Sequence, residues 1–67
     1  MSTPTRTEYL EALGVAGCRM LAKAGKESEE LFLQTKSVLE IAFAVVGGFS
    51  DHQAQKMVDM IADKAKP

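Results

Sequence analysis

Apolar residues recur along this chain at helical spacing, and nowhere do they alternate strictly as a half-buried strand requires. In the first third, Tyr9, Leu10, Leu13, Ala16, Gly17, Met20, Leu21 and Ala24 fall on one helix face, with Glu11, Arg19 and Lys23 off it. Thr5 and Glu8 have the spacing of a capping box, and Pro4 suits a helix entry. Gly25, after Lys23 and Ala24, reads as a left-handed helix end with a cationic last turn. If the chain instead crosses Gly25 in helical conformation, at a cost of about 1 kcal/mol, the first two segments merge into one long helix. A second helix is expected from the N-cap Ser28, with Glu29 and Glu30 complementing its positive end, to Val46, where Gly47-Gly48 stops it. The third helix opens on a second capping box, Ser50 and Gln53, with Phe49 as the staple residue before it. Its apolar stripe is Ala54, Met57, Val58, Ile61 and Ala65. The pattern predicts one all-α domain over residues 1–67, a small bundle of three helices at about 5–24, 29–46 and 51–65.

The second helix departs from the usual pattern. At about 100° per residue, Ile41, Val45, Val38, Leu31, Ala42, Val46, Leu39, Phe32 and Phe43 cover roughly 200° of its circumference. A surface helix in a small bundle needs an apolar arc of somewhat over 100°. Only Lys36 and Glu40, together with Leu33, Ala44 and Ser37, make a wetter side. Two neighbours can wrap a central helix and account for the whole arc. Alternatively, one edge of the arc lies on a second copy of the chain.

Length favours the second account. A chain of 67 residues removes only about 60% of its surface from water on folding, so its core is short. The single cysteine, Cys18, forbids an internal disulfide, and one cysteine with one histidine cannot make a structural zinc site. The remaining remedies are unusually good helix packing or another chain, and the wide apolar arc favours the second. The expectation is therefore a homodimer whose contact residues, or those for a further protein, are Phe32, Val38, Leu39, Ile41, Phe43 and Val45. Met60, which points away from the third helix's stripe, joins them. Gly14 and Gly17 weaken the first helix; with the small Ala16 they would suit the close approach of another backbone, or are simply tolerated there.

Charge and chemistry narrow the function by elimination. Eight basic and nine acidic residues give a net charge of -1. The bases are spread along the chain among acids, without the basic face that nucleic acid usually requires. A helix-turn-helix remains the alternative class. In that reading the third helix presents His52, Gln53, Gln55, Lys56, Asp59 and Asp63, and the two aspartates would face phosphates. His52 is the lone imidazole on a polar helix face, with no nucleophile or orienting partner near it in sequence. Asp59 and Asp63 share a face with Lys56 and read as a mixed solvated surface. Neither a phosphate-binding loop nor a cofactor motif is present. The first eight residues lack the apolar core of a secretory signal, and the apolar run from Val38 to Phe49 is shorter than the about 20 residues of a membrane span. The sequence thus points to a cytoplasmic, non-enzymatic, cofactor-free module that pairs with itself and modulates another protein as inhibitor, antiactivator or adaptor.

Overall fold

A computed structural model describes residues 3–66. Three helices follow in order: α1 (Arg6–Glu27), α2 (Glu29–Gly47) and α3 (Asp51–Ala65), and the described residues contain no strand. Local hydrogen bonds explain where each begins. The Glu8 amide donates to the Thr5 hydroxyl at 3.2 Å, and the Thr5 amide donates to the Glu8 carboxylate at 3.3 Å. The same reciprocal box joins Ser50 and Gln53, with both bonds at 3.2 Å. Each box satisfies amides that the first helical turn otherwise leaves without partners.

The junction between α1 and α2 corrects the expectation at Gly25. The helix neither ends there nor runs on into α2. It continues to Glu27, and the single residue Ser28, in extended backbone (φ -164°, ψ 152°), separates the two helices. Ser28 serves both ends. Its amide still donates to the Ala24 carbonyl at 3.0 Å, while its hydroxyl accepts from the Leu31 amide at 3.0 Å. The hydroxyl cap makes the extended conformation favourable at that one position. Gly25 has a packing reason instead: a β-carbon there would stand 3.3 Å from the Phe32 ring. The left-handed cap is Gly48 (φ 67°), which ends α2.

Antiparallel packing of α1 on α2 follows from the tight turn. Leu10 and Phe49 close over Gly47, Leu39 lies against Gly17, and Phe32 lies against Gly25. Residues early in α1 thus meet residues late in α2. The third helix covers one side of this hairpin. Leu21, Leu39, Phe43, Ala54, Val58 and Ala62 form the core, with Leu10, Leu13, Phe32, Ala44, Phe49, Met57, Ile61 and Ala65 packed around it. Phe43, Leu21 and Val58 are the largest fully buried side chains. Each contributes about 1.5–3 kcal/mol by leaving water. Lys36 on α2 and Asp59 on α3 form an ion pair at 2.9 Å beside that core.

Two sequence expectations shift here. Tyr9, Ala16 and Met20 belong to the α1 stripe by periodicity, but they are exposed. Met20 lies instead beside Leu31 and Thr35 of α2, at the margin of the hairpin. Ala62, which the stripe on α3 omits, is buried.

Candidate interaction surface

The wide apolar arc of α2 divides in two. One part, around Leu39 and Phe43, is only 2% exposed in a single chain. These two residues are therefore corrected as contact candidates, because α1 and α3 already enclose them. Phe32 is half-buried and packs on the same core, so it too belongs chiefly to the monomer. The other part reaches solvent: Val38 is 58%, Ile41 66% and Val45 77% exposed. Met60 is exposed as well, on the outer side of α3. Of the seven residues singled out from the sequence, three are adjacent on one exposed edge of α2, three are core or core-flanking, and Met60 is separate.

The exposed edge has neighbours that periodicity assigns to the core. Leu31 extends it toward the Ser28 turn, and Met20 of α1 lies beside Leu31 and Thr35. Tyr9 is exposed near the opposite end of the hairpin. The signal that could have found them is the length mismatch. An α1 of 22 residues against an α3 of 15 cannot be covered on two sides by one short helix.

Thr35 and Ser37 border this edge, and both hydroxyls are already occupied. Thr35 donates to the Leu31 carbonyl at 2.8 Å, and Ser37 donates to the Leu33 carbonyl at 3.2 Å. Covering them removes little hydrogen bonding from water. Lys36 and Glu40, the nearest charges on α2, project toward the α3 side, as the Lys36–Asp59 pair shows.

Elsewhere the surface offers little chemistry. A shallow open hollow between α2 and α3 is bordered by Glu40, Ile41, Asp51, His52 and Gln55. Among the described residues His52 has Glu40, Ile41, Asp51 and Gln55 around its hollow and no nucleophilic side chain with them. A second groove, between α1 and α3, is lined by Leu10, Gly14, Val15, Cys18, Ile61 and Lys64, with Cys18 half-buried. Among the described residues no group of three or more His, Cys, Asp or Glu side chains is placed to hold a metal. The outward side of α3 presents His52, Gln53, Gln55, Lys56, Asp59 and Asp63 to solvent, a mixed face with acids where a recognition helix would meet phosphates. No helix among the described residues is long and apolar enough to cross a membrane. Comparison with protein-family models, curated protein sequences and solved structures finds no match for this chain.

Proposed function

We propose that this chain is a small non-enzymatic interaction module that associates with a second copy of itself and, as a dimer, modulates a larger protein in the cytoplasm. The observation that carries the reading is the exposed apolar edge Val38, Ile41 and Val45 on a helix whose other side already supplies the core. Apolar side chains this exposed lose their hydration cost when another surface covers them, and an isologous dimer is the commonest way to do so. Helix-on-helix docking or steric occlusion is the mode such an edge suits. Among the described residues no cleft brings a general base and a nucleophile together, which leaves a binding role as the simpler reading.

Light scattering after size exclusion tests the self-association directly. A mass of twice 7.2 kDa at micromolar concentration is expected, and a stable monomer refutes it. Affinity capture from the source cells, with wild type beside Ile41→Glu, tests the modulator role. A specific protein retained by the wild type is expected, and no specific capture refutes that role. Binding to arbitrary duplex DNA that weakens steeply with added salt would replace the reading with a DNA-binding one.

A further inference from the structure

Leu31, Val38 and Val45 stand seven residues apart along α2, and Gln34 and Ile41 each follow three residues after the first two. These are the a and d positions of a heptad repeat, and all five lie on the exposed side. The flanking positions are small: Thr35 and Ala42 on one side, Ser37 and Ala44 on the other. Small flanks let a second helix approach closely, and the two hydroxyls are already bonded to their own backbone. No charged residue interrupts the seam between Leu31 and Val45.

Shape supports covering this side. The chain exposes 4930 Å², whereas a compact protein of its mass exposes about 4,100 Å². The excess, about 800 Å², equals one partner's share of a standard protein–protein interface. The radius of gyration is 12.0 Å, against about 10.9 Å for a compact domain of this length. The molecule is a slab only 16 Å thick in its shortest Cα extent, and among the described residues no helix covers the outer face of α2 that carries Val38, Ile41 and Val45.

From these observations the geometry points to a specific partner and arrangement: α2 packs antiparallel on α2 of a second copy, about a two-fold axis between Val38 and Ile41. The inference rests on the self-association proposed above and adds its direction and register. Charge sets the direction. Parallel pairing would bring together the acidic runs Glu27, Glu29 and Glu30 of both chains and align their helix dipoles. Antiparallel pairing separates the runs and opposes the dipoles. It also brings the Glu30 end of one copy onto the Gly48 end of the other. There the Arg6 guanidinium lies against Gly48, 3.4 Å from where a β-carbon would stand. In this register Val38 faces Ile41 of the partner subunit, and Gln34 lays its aliphatic stem on the partner's Val45. Met20 flanks the seam on the α1 side beside Leu31, and the start of α3, with Asp51, His52 and Gln55 around the hollow beside Ile41, flanks it on the other.

Cysteine bridging in a Cys18→Ser background tests direction and register. Val38→Cys and Ile41→Cys introduced together are expected to give a covalent dimer under mild oxidation. Peptide mapping is expected to place the bridge between position 38 of one chain and position 41 of the other. Val45→Cys alone is expected to remain unbridged, because antiparallel pairing sets the two copies of that position about 16 Å apart along the axis at 1.5 Å per residue, beyond disulfide reach. Ile41→Glu, at an exposed position, is expected to keep the helical circular dichroism and to halve the mass in solution. A dimer in which Val45→Cys bridges to itself overturns the antiparallel arrangement while leaving self-association standing. A dimer that Ile41→Glu leaves intact, or one without the 38-to-41 bridge, overturns the seam. A wild-type monomer at micromolar concentration removes both this inference and the reading beneath it.

Discussion

Glycines at different places in this chain answer the same substitution with opposite signs. Gly47 is buried, and a β-carbon there would run into the Phe49 ring and approach Leu10. Gly47→Ala is therefore expected to destabilise by about 1–3 kcal/mol through overpacking. Gly14 has open space around its missing side chain. Gly14→Ala is expected to stabilise by about 0.5–1 kcal/mol through helix propensity. Urea denaturation of the two variants beside the wild type reads both signs. Phe43 shows how exposure overrules periodicity. On a wheel it is one member of a broad apolar arc, yet in the fold it is the largest fully buried side chain. Phe43→Ala is expected to cost about 3–5 kcal/mol, a large share of the stability available to so small a domain. Loss of the cooperative thermal transition near room temperature would be the sign of it. The same cost at Val45, which is 77% exposed, would contradict the division of α2 into core and surface.

At the scale of elements, the caps decide where helices start and the Ser28 turn decides how two of them meet. Both capping boxes and the Ser28 cap involve bonds between residues three apart, so their spacing is legible in the chain. The end of α1 is less so. Gly25 carries the usual signal of a helix stop, but Ser28 provides a cap for the next helix only if the break comes three residues later. That competition is energetic: a glycine inside a helix costs about 1 kcal/mol, and a side-chain cap returns a similar amount. Ser28→Ala is expected to destabilise by about 1 kcal/mol, and Ser28→Asp to retain most of the stability because aspartate also caps. Equal melting of all three proteins would show that the hydroxyl bond to Leu31 contributes nothing.

For the whole molecule, the central fact is asymmetry. α1 and α3 cover the side of α2 that carries Leu39 and Phe43, and the side away from that core carries Leu31, Val38, Ile41 and Val45 exposed, with Met20 beside Leu31. If a second copy covers that side, folding and association are linked by mass action. The melting temperature of the wild type is then expected to rise with protein concentration, while that of Ile41→Glu stays constant. Differential scanning fluorimetry across a hundredfold concentration range distinguishes the two. What the sequence determined by itself is the local part: three helices, their starting caps, the glycine stop after α2, and an apolar excess on α2. Those features depend on bonds and backbone preferences spanning a few residues. What only the tertiary structure decided is the allocation of that excess. Leu39 and Phe43 went to the core, while Val38, Ile41 and Val45 went to the surface. A helix wheel records which residues share a face, but burial depends on where other helices lie. Here that follows from a one-residue turn at Ser28 and a third helix long enough to cover only one side of the hairpin.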